Sequence, residues 1–341
     1  MINLGEPWSH SIDTIDWNGS NIDILLYDWF NIQLPDLYKL KQAIQKHPNV
    51  NVKIKSGTGP FMPIFKDCDN VVTEMSWQHF PGFWLYKHCQ DKNNLPMYQQ
   101  QFEHVVSTFN GTWHWSRMLM IIYLYQKGLW HDDYCSKSKL LTCKLDKLNQ
   151  WQKNGLENII GDMSTDKIKK FLLHHNEFEY NDRFDWKTNI KTLAPIMKKT
   201  FVNLVSETFA EGTEPFYSEK PFQAIMNKSL SLILAQPDYY KVLETCFGFK
   251  KFKCFDYSFD EEKNFLQRII LIVDQIHDLS KKSVQEQKSI YDDNKDIIEY
   301  NFNHFMSGKW TTQCEQTMHD LDNIISRTYN TEGEKIHGQT I

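Results

Sequence analysis

"FVNLVSETFAEGTEPFYSEKPFQAIMNKSLSLILAQPDYYKVLETCFG", residues 201–248, is the stretch whose reading decides the fold. It opens with a short unbroken apolar run, "FVNLVSE" at 201–207, of the kind that parallel sheets bury on both faces. A polar loop follows, and then a helical spacing from about 219 to 228. "LSLILA" at 230–235 is a second strand, and "PDYYKVLETCFG" at 237–248 a helix closed by Gly248. Beyond it, "FKKFKCF" at 249–255 reads as a third strand and residues 259–282 as a long amphipathic helix. Strands and helices in strict alternation predict a doubly wound parallel sheet.

The alternation extends toward the start of the chain. "NIDILLYDW" (21–29) reads as a buried strand and "PDLYKLKQAIQKH" (35–47) as an amphipathic helix with Leu37, Leu40 and Ile44 on one face. "NVKIKSGTG" (51–59) is a strand running into a turn, "FEHVVSTFNG" (102–111) another strand, and residues 113–128 a helix ended by Gly128. The fold class is therefore α/β with mostly parallel strands. Residues 140–195 turn lysine- and asparagine-rich, with two short helices, and the domain junction is expected there. The expected division is an N-terminal α/β domain over 1–150, a second domain over 151–285 and a helical tail over 286–341. That tail has two readings, a solvated terminal helix or one packed back across the other domain.

A chain of 341 residues exceeds what one core usually holds, and 41% hydrophobic with 14% aromatic content is ample for two. Its net charge of −5 argues against a protein that depends mainly on phosphate-backbone contacts. DNA remains open only through a local basic face, such as "KLKQAIQKH" (39–47) or "VKIK" (52–55), which read equally as solvated surface. The first residues are polar and acidic, unlike a secretory leader, and the apolar run at 118–125 is too short to cross a bilayer. The seven cysteines are odd in number and form no CxxC pair, which points to reduced thiols and a cytoplasmic location. Metal chemistry is not expected. "DCD" at 67–69 precedes a strand instead of ending one, "HDD" and "HH" lack a helical ligand spacing, and "SGTGP" is no P-loop.

In an open parallel sheet, ligands bind beyond the carboxyl ends of the strands. Glu207 ends a strand at that edge, and Ser218, Glu219 and Lys220 open the next helix at the same edge. A helix start offers unpaired N–H groups to a phosphate, Lys220 adds a positive charge, and Glu219 can accept from vicinal hydroxyls. Pro221 costs nothing in a first turn. These are the parts of a site for a nucleoside diphosphate. The plainer reading makes Ser218 an N-cap and Glu219 a first-turn acid.

The run at 201–280, with "FNGTWHWSRMLMIIYLYQKGLWHDDYCSKS" (109–138), resembles the phage-type glycosyltransferases, which are similar to the α-1,3-fucosyltransferases in an acid-bearing strand end followed by a "TEK"-type helix start. The resemblance spans under half of the chain. It implies a GT-B-like fold, two Rossmann-like domains facing a central cleft. It also implies an inverting, metal-independent transfer of a sugar from a nucleotide-sugar donor, with no other cofactor. Glu219 would then hold the ribose, Lys220 the diphosphate, Glu207 the sugar or the hinge of the site, and Arg117 a second phosphate oxygen. Here Ser218 stands where the family usually has threonine, and "HWSR" replaces a His-Arg pair. The acceptor would be a hydroxylated base in phage DNA or a glycan. Its base should come from the N-terminal domain, with Asp28 first and Glu74 and His79 next. A reading of another class is a non-catalytic interaction protein on a degenerate scaffold of this kind.

Overall fold

The computed structural model describes residues 2–4, 12–26, 34–57, 65, 67–91, 100–110, 114–135, 150–160, 164–173, 186–207, 210 and 217–317. The strands are β1 (Ile2–Leu4), β2 (Asn21–Leu26), β3 (Asn51–Ser56), β4 (Val71–Met75), β5 (His104–Ser107), β6 (Thr200–Ser206) and β7 (Leu230–Leu234). The helices are α1 (Leu34–Lys46), α2 (Pro81–Cys89), α3 (Trp115–Gln126), α4 (Gln150–Ile160), α5 (Thr165–Leu173), α6 (Trp186–Lys199), α7 (Lys220–Met226), α8 (Tyr239–Thr245), α9 (Phe265–Ser280), α10 (Val284–Asp293), α11 (Lys295–Ser307) and α12 (Lys309–Thr317). The chain is mixed α/β with two parallel sheets, one in the order β1-β2-β3-β4 and one in the order β5-β6-β7.

The first sheet shows clean alternation. Val52 and Ile54 of β3 turn inward, with Ile22 and Ile24 of β2, and pack against Leu37, Leu40 and Ile44 of α1. Lys53 and Lys55 face the other way. Lys53 lies opposite Asp23 and Lys55 opposite Glu74, and Lys53 Nζ pairs with Glu74 at 2.8 Å. "VKIK" is thus balanced by acids across the sheet.

The second sheet is the more deeply buried of the two. Every residue of β6 and β7 is buried, as continuous apolar runs require. α6 and α7 pack on β6, α7 also on β7, and α9 joins β5, β7 and α3. Because β5 pairs with β6, and α2 shares a core with α7 and α11, the boundary expected at residue 150 falls inside one packed unit. The two apolar cores separate near β4 instead.

Residues 249–255 form no strand. Phe249, Phe252 and Phe255 are buried at a spacing of three, which is not the strand period of two. The backbone donors go to side chains: Lys250 N–H to Asn301 Oδ1 (2.8 Å), Lys253 N–H to Asn294 Oδ1 (2.7 Å) and Phe252 N–H to the Tyr257 hydroxyl (3.0 Å). Two of these acceptors lie at the start of, or within, α11, so the segment is pinned to the tail and not to a neighbouring strand.

The described part of the tail, to residue 317, is packed. A capping box of Ser283 and Glu286 starts α10. Ile297, Ile298, Phe305, Trp310 and Cys314 enter the core. The Trp310 ring stacks on Phe305 and Phe222 and meets Trp77 edge-on, while Trp77 Nε1 donates to Glu315 Oε1 at 2.6 Å. Gly308, at φ 71°, makes the left-handed turn between α11 and α12 that this packing needs. Among the described residues no helix is long and apolar enough to cross a membrane. Cys68, Cys89, Cys135, Cys246, Cys254 and Cys314 are free thiols, and Cys143 lies outside the described residues.

Candidate functional site

The carboxyl edge of the second sheet collects the residues that the sequence singled out there. Glu207 follows β6, and its N–H continues the ladder to Leu234 O at 2.9 Å. The side chain is fully buried. Its Oε1 accepts from Ser218 N–H at 2.9 Å and from the Tyr239 hydroxyl at 3.2 Å. Oε2 has no hydrogen-bond partner among the described residues. Burial pushes the Glu207 carboxyl above its ordinary range, against the opposing pull of the Lys220 charge and the Ser218 hydrogen bonds. Glu207 thus sits at the hinge, tying the end of β6 to the start of α7.

Ser218, Glu219 and Lys220 form a tight turn. Glu219, not Ser218, takes the N-cap position, and its side chain caps nothing. Ser218 Oγ instead accepts from Lys220 N–H at 3.2 Å and from Lys220 Nζ at 3.3 Å. Lys220 Nζ also lies 3.5 Å from Glu219 Oε1, both side chains being partly exposed. α7 is short, so its dipole is a small part of any anion affinity, and the Lys220 ammonium dominates.

Arg117 is brought to the same place from α3. Its Nη2 donates to Ser206 O at 3.3 Å, immediately before Glu207. With the side chain 1% exposed, Arg117 props the strand end from below and turns no open face toward a phosphate. Asn110, shortly after β5, is also buried, its Nδ2 donating to Thr108 Oγ1 at 3.2 Å.

Sequence reasoning missed three members of this group. Tyr239 holds Glu207. Tyr217 stacks on Tyr239 with centroids 4.4 Å apart and donates its hydroxyl to Tyr239 O at 2.8 Å. Asp260 caps α8 from outside, accepting from Tyr240 N–H (2.9 Å) and Lys241 N–H (3.0 Å), while its own carbonyl accepts from Asp238 N–H (2.7 Å). Burial raises the Asp260 carboxyl to about 6. Asp238 adopts the left-handed conformation, φ 61°, a shape that aspartate tolerates better than most residues. Tyr239 opens a helix and Tyr217 stands in the loop before α7, and nothing in the sequence marks either off from a core aromatic residue.

Of the acceptor-side candidates only the Glu74 side chain is described. Asp28 lies outside the described residues, as does the side chain of His79, whose backbone closes a 3₁₀ turn, Trp77–His79. Glu74 is on β4 and tied to Lys53. Among the described residues no group of histidine, cysteine, aspartate and glutamate is arranged to hold a metal ion. Comparison with known protein families, with curated proteins and with solved structures gives no match.

Proposed function

We propose that the chain is a nucleotide-sugar-dependent glycosyltransferase of GT-B-like architecture, transferring a sugar with inversion to a hydroxyl acceptor. One observation carries this reading. A buried acid at the end of a central parallel strand grips the backbone of a Ser-Glu-Lys turn at the carboxyl edge of the sheet, where such sheets bind nucleotides. Glu219 accepts from the ribose hydroxyls, and Lys220 meets the diphosphate. Arg117 supports the strand end beside them. Glycosyl transfer passes through an oxocarbenium-like state while negative charge builds on the leaving diphosphate. An ammonium fixed at that position stabilises the charge as it develops, so the reading needs no metal. The acceptor proton goes to a carboxylate of the N-terminal residues, Asp28 or Glu74. The balanced charges around Lys53 and Lys55 favour a glycan acceptor over a DNA base.

A second reading rests on Lys220 being neutralised within the protein by Glu219. On that reading the edge is a retained scaffold and the chain a non-catalytic interaction protein. Thermal shift against a panel of nucleoside diphosphates and their sugars separates the two. A ligand at a hundred times its Kd stabilises the folded state by about 2.7 kcal/mol, a shift of several degrees. At least one member of the panel is expected to give it, and Lys220→Ala to abolish it with the unliganded melting temperature unchanged. Silence across the panel refutes the donor site.

A further inference from the structure

Two loops meet at the carboxyl edge of the second sheet, one after β6 and one after β7. Two of the hydrogen bonds that tie them together converge on a single buried oxygen, Glu207 Oε1. It receives Ser218 N–H from the turn before α7 and the hydroxyl of Tyr239 from the start of α8. Tyr239 is itself held on every side. Its ring lies on Tyr217, its carbonyl accepts from Tyr217, and the N–H groups that follow it are capped by Asp260. An acid with only one donor on Oε1 could swing about its side-chain torsions. Two donors from different elements fix it.

We propose that Tyr239 is a positioning residue for the nucleotide turn: by fixing Glu207 it sets where Ser218, Glu219 and Lys220 stand. This rests on the donor-site reading above, and it assigns a role to a residue that makes no contact with the ligand. The charged groups facing Glu207 are Lys220 and Glu219 from the α7 end, with Tyr239 and Tyr217 as neutral neighbours and Arg117 behind the Ser206 carbonyl. Loss of the Tyr239 hydroxyl removes a donor from the ionised acid and makes Glu207 easier to protonate.

The test compares Tyr239→Phe with Tyr240→Phe. Both delete one buried hydroxyl and keep the ring, but the Tyr240 hydroxyl accepts from Ile233 N–H and does not touch Glu207. Hydrogen exchange of the peptide spanning 217–222 needs no ligand. Tyr239→Phe is expected to speed exchange at Ser218, and Tyr240→Phe to leave it at the wild-type rate. With the nucleoside diphosphate that stabilises the wild type best, Tyr239→Phe should weaken binding about tenfold, because Ser218, Glu219 and Lys220 lose the position that Glu207 sets. The acid limb of affinity against pH should also move to higher pH, which a merely structural loss would not do. Unchanged exchange at Ser218, or equal effects from Tyr240→Phe, overturns the proposal. If no nucleotide stabilises the wild type, the donor-site reading falls by itself, and exchange at Ser218 still decides whether Tyr239 sets the turn.

Discussion

Gly82→Ala sets two effects of known size against each other. Gly82 is the second residue of α2, where alanine in place of glycine gains up to about 1 kcal/mol of helix propensity. A methyl group there would sit 2.5 Å from Phe222 Cε2 and 2.7 Å from Phe80 Cε1. Neither ring can retreat. Both are fully buried, Phe80 meets Phe222 edge-on at 5.9 Å, and Phe222 is stacked on Phe305 at 5.5 Å and Trp310 at 5.6 Å. Contacts this short put the overpacking cost near the upper end of its range, about 3 kcal/mol, so the net effect is a loss of about 2 kcal/mol. Gly155→Ala is the control. It lies in α4, and its nearest neighbour would be the methyl end of Leu266 at 3.3 Å, which can rotate away. There propensity should win, with a gain of up to about 1 kcal/mol. Urea unfolding with midpoint and slope recorded for both variants reads the difference. Phe222 stands two residues beyond Lys220, so displacing its ring also displaces the start of α7, and Gly82→Ala should lose part of the nucleotide-induced stabilisation as well. A Gly82→Ala protein as stable as the wild type, or less harmed than Gly155→Ala, refutes the reasoning.

Asp260 makes stability depend on pH in an unusual direction. Its folded carboxyl, at about 6 against an ordinary 3.8, holds its proton more tightly than in the unfolded chain. Stability from this group is therefore fully present below the unfolded value and is lost as pH rises through about 6, a change of about 3 kcal/mol. Urea midpoints from pH 3.5 to 7 should fall for the wild type relative to Asp260→Asn, and parallel curves would contradict the assignment. Trp310→Ala empties the largest fully buried side chain from a ring cluster that joins α12 to α2 and α7, and should cost about 3–5 kcal/mol in the same assay.

The second sheet was legible because its strands carry no polar alternation. "FVNLVSE" and "LSLILA" are apolar on both faces, and only a strand covered on both sides has that pattern. "FKKFKCF" looked the same to a period-two reading, yet it is irregular. Its apolar residues fall every third position, and what holds its backbone is Asn294 and Asn301, some forty to fifty residues further on. No local pattern encodes a partner at that distance. The placement of the tail was open for the same reason. Helical spacing shows that residues 295–317 have an apolar face, but only Trp77, Phe80 and Phe222 show what that face meets. The pairing of β5 with β6 was not legible, because more than ninety residues of sequence separate the two strands. A parallel pair leaves no hairpin turn to mark it.

The site divides along the same line between local and long-range information. Glu207, Ser218, Glu219 and Lys220 could be found because they flank one loop, and topology alone sends both ends of that loop to the carboxyl edge. Their division of labour could not be found, because burial decides it. Sequence allows Glu207 to face a sugar, but full burial and two protein donors on Oε1 make it the residue that holds the turn. Sequence allows Arg117 to reach a phosphate, but its side chain is buried and its Nη2 donates to the Ser206 carbonyl. That leaves Lys220 and Glu219, each about a quarter exposed, as the pair that can both reach solvent and pair with each other. A dianionic diphosphate would have to draw Lys220 away from Glu219, and ribose hydroxyls would then find the acid released. On the donor-site proposal, this ion pair is the contact that an incoming nucleotide has to open.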